Sequence, residues 1–301
     1  LATACVERCR QFCAARGTYA LVTPQNWLFL QRYRPLRAKL LREQVWHMVA
    51  RLGAGAFATI GGAVVNVGLL VLSNQAPSHQ QVMHGLDVSG VATPPEKGQA
   101  LRCSYPEHSR QAEQLGHPDA RVAFGQSEAA TLLSDYAFTA GGMCTFDSPR
   151  FIFSFWELRR FPPRWLLMQS TVDASEPYSG RSRAVRWENG AGDLWRLVQE
   201  MRANGYTSGI WMAGKQVWGQ KGVLVSLMCD LHVTLYTGEP FDNNTGAIIP
   251  KSPEYLPAIW AFCSSPEFSK AVRQIDQKLN VTNATLVKVP FDLARWQAEA
   301  E

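Results

Sequence analysis

The most continuous apolar run in the chain is Val64-Val-Asn-Val-Gly-Leu-Leu-Val-Leu72. Nine residues rich in valine and leucine suit a strand buried on both faces. Residues 52–78 contain no Asp, Glu, Lys or Arg, which is long enough to span a bilayer, but the first half is mostly Gly, Ala and Thr. A buried strand therefore fits better than a membrane span, and no signal peptide is visible. Thr18-Tyr-Ala-Leu-Val-Thr23 and Trp46-His-Met-Val-Ala50 give two further strands. Between them Leu36, Leu40, Leu41, Val45 and Met48 repeat near one helical face, while Arg32, Arg34, Arg37, Lys39 and Arg42 occupy the other, solvated faces. Helix, strand, helix, strand, loop, strand is the second half of an α/β sheet domain.

Ligands of such sheets sit at the carboxyl ends of the strands. Two loops fall there: Pro24-Gln-Asn-Trp27, and Leu52-Gly-Ala-Gly-Ala-Phe57-Ala-Thr-Ile-Gly-Gly62. The second carries Gly53, Gly55, Gly61 and Gly62 around a single large ring, Phe57. Its residues fit two uses, a ring folded into the core or a flat surface offered to a flat ligand.

Cys5, Cys9 and Cys13 recur at every fourth position of an N-terminal helix closed by Gly17. Their spacing matches no metal-cluster pattern, and small thiols on a buried stripe explain it more cheaply. Residues 75–127 are rich in Pro, Gly, His and Ser and read as an irregular connection. A second domain begins near Ala130. Between Arg150 and Arg186 it carries seven arginines against Glu157, Asp173 and Glu176, interleaved with Phe151, Phe153, Phe155, Trp156 and Trp165. That composition serves a nucleic-acid surface and a core edged with arginine equally well. Gly222-Val-Leu-Val-Ser226 reads as a strand, with Lys215 and Lys221 on the loop before it. Ser252-Pro-Glu and Ser265-Pro-Glu are helix starts. The second of these helices places Phe268, Val272, Ile275 and Leu279 on one face, and residues 283–291 read as a closing strand.

Composition narrows the class. With 301 residues, 46% hydrophobic and 18% charged, the chain is globular and long enough for two domains. Its net charge of +5 permits nucleic acid as a partner. Seven cysteines without CxxC spacing point to free thiols and a cytoplasmic setting, where the sequons at Asn243, Asn280 and Asn283 are accidental. No metal is expected. The chain opens at Leu1 with residues that already read as the inside of a helix, so a piece of a longer protein is expected.

Taken together, Leu21-Val-Thr-Pro-Gln-Asn-Trp-Leu-Phe29, Val49-Ala-Arg-Leu-Gly-Ala-Gly-Ala-Phe57 and Val64-Val-Asn-Val resemble the later motifs of adenine-specific DNA methyltransferases. The nearest kinds are the large methylases of restriction–modification and phage-exclusion (BREX-type) systems. Gly142-Met-Cys-Thr-Phe-Asp147-Ser-Pro-Arg150-Phe151, with Phe155-Trp-Glu-Leu158, is similar to the loop that opens their target-recognition part. Asp242-Asn-Asn, Ile249-Pro-Lys251 and Trp260-Ala-Phe-Cys-Ser-Ser-Pro-Glu-Phe268 resemble their C-terminal recognition region.

The resemblance implies an α/β fold, the C-terminal half of a Rossmann-like methyltransferase sheet over residues 1–74. It implies a connection over 75–129 and an α+β target-recognition domain over 130–301. The activity implied is S-adenosylmethionine-dependent methylation of adenine N6 in double-stranded DNA, on a flipped base, in host defence, with other subunits possible and no membrane. It puts Phe57 on the flipped base, with Pro24, Asn26 and Trp27 lining the same pocket. It puts Arg150, Phe151, Trp156, Arg159, Lys215 and Lys221 on the DNA-binding side. The cofactor loop and the Asn/Asp-Pro-Pro-Tyr/Phe motif of the family are absent. Thr93-Pro-Pro-Glu96 and Phe161-Pro-Pro-Arg164 are the nearest strings, so the chain alone is expected to be inactive. Phe146 stands where the family usually has glycine. The alternative is a non-enzymatic DNA-specificity module, acting alone or with a separate catalytic chain.

Overall fold

Three of the expected strands form part of one sheet, two of them inside it and one at its edge. The computed structural model describes residues 2–58, 65–124, 131–159, 163–206, 209–276 and 278–301. Gly61, Gly62 and Val64, and Arg160-Phe161-Pro162 farther on, lie outside the described residues. The chain divides into two compact units, Leu1–Glu128 with Ile275–Lys278, and Ala129–Gln274 with Leu279–Glu301.

The first unit runs α1 (Ala2–Phe12), β1 (Thr18–Pro24), α2 (Arg34–Glu43), β2 (Val45–Gly53), β3 (Val67–Ser73), β4 (Val82–Asp87), α3 (Pro94–Cys103) and β5 (Glu107–Arg110). The five strands form one sheet in the order β1-β3-β2-β4-β5. Strand β3 is antiparallel to both β1 and β2, and β4 is parallel to β2. It follows that β1, β2 and β4 point the same way and end on one edge. The register is explicit there, since Pro24 and Gly53 both face Val67. Trp46, Val49, Leu70, Leu72 and Met83 fill the core against Leu40 and Leu41 of α2. Strand β1 closes the sheet at one side, with Thr18, Ala20, Val22 and Pro24 exposed.

Three expectations are corrected in this unit, and one string is placed. The stretch read as an irregular connection carries β4, α3 and β5 and continues the sheet. Its strands are short and carry His84, Glu107 and His108, so their alternation is weak. The N-terminal cysteines are not core: Cys5 is exposed, Cys9 and Cys13 (the latter just past α1) are half-buried, and Val6 is the buried residue of that helix. Arg37 does not face solvent and is fully buried. Thr93-Pro-Pro-Glu96 is the start of α3, where the Glu96 carboxylate accepts from the Thr93 N–H at 3.2 Å and its hydroxyl at 2.7 Å.

The second unit holds two antiparallel sheets. The four-stranded one has the order β11-β10-β12-β6, from β10 (Gly222–Ser226), β11 (Val233–Tyr236), β12 (Thr245–Pro250) and β6 (Ala137–Gly141). The three-stranded one has the order β7-β9-β8, from β7 (Ile152–Ser154), β8 (Trp165–Met168) and β9 (Arg183–Arg186). Helices α4 (Leu133–Tyr136), α5 (Ser148–Phe151), α6 (Asp193–Ala203), α7 (Leu256–Ser264), α8 (Pro266–Ile275) and α9 (Leu293–Ala300) complete it. The amphipathic reading of α8 is correct for Phe268 and Val272, both fully buried, whereas Leu279 lies beyond the helix and is 70% exposed. Residues 283–291 are not a strand. They form a short 3-10 turn, Asn283–Thr285, and a single bridge from Pro290 to Leu132. Among the described residues no helix is long and apolar enough to cross a membrane.

Candidate nucleic-acid interface

The carboxyl edge of the first sheet is built by what the strands do as they end. After Leu52 the chain needs a left-handed turn, and Gly53 at φ +68° supplies it; a β-carbon there would lie 2.7 Å from the Ser89 side chain. Lys97 of α3 secures the same turn. Its side chain is almost wholly enclosed and its ammonium donates to the carbonyls of Leu52 at 2.6 Å and Val88 at 3.2 Å. Burial lowers the Lys97 pKa, and the Asp87 carboxylate opposes that shift. Sequence reasoning missed Lys97; its place one turn inside a helix that begins next to the strand ends was the available signal.

Beyond Gly55 the loop turns Phe57 outward, 41% exposed. The ring lines a cavity of about 300 Å³ with Val22, Thr23, Pro24, Ala56, Val65 and Val67. The cavity is apolar and of the smallest size typical for small-ligand sites. Pro24, at the end of β1, and Phe57, from the loop after β2, are therefore brought together. Asn26 is half-buried and its Oδ1 is enclosed with no hydrogen-bond partner among the described residues. Trp27 is not part of the cavity. It is 1% exposed, its indole N–H donates to the Thr23 hydroxyl at 2.9 Å, and its ring lies 5.9 Å from that of Trp46. With both faces covered it is a core residue, which corrects its expected role.

Arg37 holds the other side of this turn. Its guanidinium donates to the carbonyls of Trp27 at 2.5 Å, Leu30 at 2.8 Å, Phe29 at 3.4 Å, Asp119 at 2.7 Å and Ala120 at 3.2 Å. Burial depresses its pKa to about 10, so it stays charged at neutral pH. Asp119 and Ala120 are both left-handed, at φ +57° and +49°, a strained pair that the guanidinium pins in place.

In the second unit the arginines divide by what they touch. Arg186 is paired with Glu188 at 2.8 Å and Asp193 at 3.1 Å. Arg181 lies 4.0 Å over the Tyr178 ring and donates to the Leu235 carbonyl. Both are structural. Arg150, Arg159 and Arg183 are exposed and make no ion pair among the described residues. Arg183 of β9 pairs in register with Ser154 of β7, and the Phe155 N–H donates to the Ser182 carbonyl. The Phe155 and Trp156 rings are 47% and 65% exposed and meet edge to face at 5.1 Å. Lys215 and Lys221 are exposed, the former with its ammonium 5.4 Å from the Trp187 ring centre.

Phe151 is where the expectation fails. It is fully buried with Met143, Met168, Val185, Trp187 and Trp211, so neither ring face can meet a nucleic acid. Its contribution is to carry Arg150, whose guanidinium sits 4.9 Å over the ring.

Three strands ending on one edge, a loop-borne ring at that edge and a separate α+β unit make a mixed α/β architecture that solved structures share. No protein-family model matches the chain, and no curated protein matches it in sequence. The Type IIL restriction-modification enzyme MmeI, in complex with DNA, is similar over 99% of this chain with a TM-score of 0.57 and 13% identity. The Type ISP enzyme LlaGI, a nuclease-deletion mutant with a DNA substrate mimic, is similar over 88% of it, at TM-score 0.52 and 10% identity. LlaBIII, an ATP-dependent Type ISP enzyme bound to DNA, covers 98% of it at TM-score 0.51 and 8% identity. This chain spans 43%, 33% and 26% of those chains in turn. At such identities the likeness is one of fold.

Proposed function

We propose that this chain supplies DNA recognition and the target-base pocket of a restriction–modification DNA methyltransferase. The observation that carries the reading is the cavity where Phe57 and Pro24 meet at the carboxyl edge of the sheet. A flat, half-exposed ring beside an apolar space large enough for one heterocycle suits an extruded base. The unpaired cations and exposed rings of the second unit support duplex binding, because phosphate contacts position and rings stack. That the three similar enzymes were each solved with DNA or a DNA mimic points the same way. In the complete enzyme the acceptor would be adenine N6 and the donor S-adenosylmethionine, as the sequence resemblance implies.

The test starts from duplexes that the chain retains out of a random-sequence pool at low salt. Phe57→Ala should weaken binding to versions carrying a mismatched, easily extruded adenine about tenfold more than binding to the matched duplex. Equal loss on both would return Phe57 to a purely structural role.

A second reading, a specificity module that works with a separate catalytic chain, is favoured by one observation. The 301 residues contain no Asn/Asp-Pro-Pro-Tyr/Phe motif, and Thr93-Pro-Pro-Glu96 is committed to starting α3. Purified 1–301 should transfer no tritiated methyl group from S-adenosylmethionine to the retained duplexes. Incorporation above background would put the acceptor chemistry in this chain after all.

A further inference from the structure

Phe146 is a large side chain in a conformation that suits glycine. Its φ is +54°, in the left-handed region where a β-carbon crowds the following carbonyl, and its ring is 64% exposed. Neither feature helps folding, and both are imposed by anchored neighbours. On one side the Met143 N–H donates to the Phe241 carbonyl at 2.8 Å, the Asn243 N–H donates back to Met143 at 3.0 Å, and Thr145 is 1% exposed. On the other side α5 begins at Ser148 and ends in the buried Phe151. With both flanks fixed, the left-handed residue turns its side chain out of the protein.

The ring is not loose there. It leans on Trp211, with ring centres 5.0 Å apart and planes inclined by 45°, and Trp211 itself is 4% exposed within the core. A rigid indole backs one part of the ring and leaves the remainder free. Arg150, exposed and without an ion pair among the described residues, lies four residues on in α5, its guanidinium over the Phe151 ring. Exposed Lys215 lies four residues beyond Trp211. A stiffly supported ring, flanked in sequence by two exposed cations that rest on aromatic rings and make no ion pair among the described residues, is suited to a stacked, polyanionic partner.

We propose that Phe146 is a wedge: it inserts between adjacent base pairs of the bound duplex and unstacks that step, while neighbouring cations hold the phosphates. The proposal rests on the DNA-recognition reading above. Apolar rings used in this way bend the duplex, and their contribution does not depend on salt as phosphate contacts do.

The experiment measures affinity and end-to-end energy transfer on doubly labelled duplexes, drawn from those the wild-type chain retains, with Phe146→Ala, Phe146→Leu and Phe146→Gly. The expected result is a bend with the wild type that Phe146→Ala abolishes, with about tenfold weaker binding and an unchanged salt slope. Phe146→Leu, still an apolar wedge, should keep most of the bend. Phe146→Gly should lose it while melting no lower than Phe146→Ala, since glycine relieves the left-handed backbone. That pairing separates loss of the ring from loss of the fold. A wild-type bend and affinity that Phe146→Ala leaves within twofold would overturn the wedge and spare the DNA reading. Failure of the wild type to retain any duplex at low salt would overturn both.

Discussion

Arg37→Met should destabilise the first unit by roughly 3–5 kcal/mol, the cost of leaving buried carbonyls without their donor. Five acceptors converge on this one guanidinium, three from residues 27–30 and two from the left-handed pair Asp119 and Ala120. Methionine keeps the length of the stem but donates nothing, so the strained turn loses the group that pins it. Arg37→Lys should fall between the two, because a single ammonium has three donors at one point and cannot span acceptors spread along two segments. Hydrogen exchange followed by mass spectrometry is the suitable measurement, since it resolves local opening. Protection should drop in peptides covering residues 25–30 and 118–122 while the second unit is unchanged. Unaltered exchange in both peptides would mean that the carbonyls find other partners.

Phe151→Ala should cost about 3–5 kcal/mol in the second unit, as the removal of a wholly buried ring does. Its neighbour should behave in the opposite way. Arg150→Ala should leave thermal stability within about 1 kcal/mol, because an exposed cation with no ion pair among the described residues loses only its contact with the Phe151 ring. It should instead lower the slope of log binding constant against log salt by about one phosphate contact. Measuring melting and salt dependence on both variants separates the ring that builds the surface from the charge that uses it. A large melting shift for Arg150→Ala would show that its contact with the Phe151 ring is structural.

The parts of the fold that were legible were those where burial and periodicity agree. Strands β1, β2, β3 and β10 and helix α8 all show an apolar run or stripe that no other arrangement would bury. Strands β4 and β5 were missed because they are short, lie toward the side of the sheet and carry polar side chains. Arg37 looked like one more member of a basic run, yet it lies three and four residues before Leu40 and Leu41, on the stripe that packs inward. Trp27 and Phe151 occupy positions the family resemblance marks out, but whether an aromatic faces a ligand or the core is decided by its rotamer and neighbours, which no motif encodes. The loop at Phe146 gave the reverse case. Phe146 takes a left-handed backbone although it is not glycine, because both its flanks are anchored, one of them through Phe241, which the motif does not contain.

Strand β1 has a consequence for handling the protein. Its outer side offers a row of backbone donors and acceptors, with Val22 61% exposed among them, and a second molecule can pair along that row. Pro24, lacking an N–H, blunts only the last position. A net charge of +5 gives modest repulsion between molecules, which salt would screen. Association of the isolated chain along this edge should therefore rise with concentration and with ionic strength, and low salt should keep it dispersed.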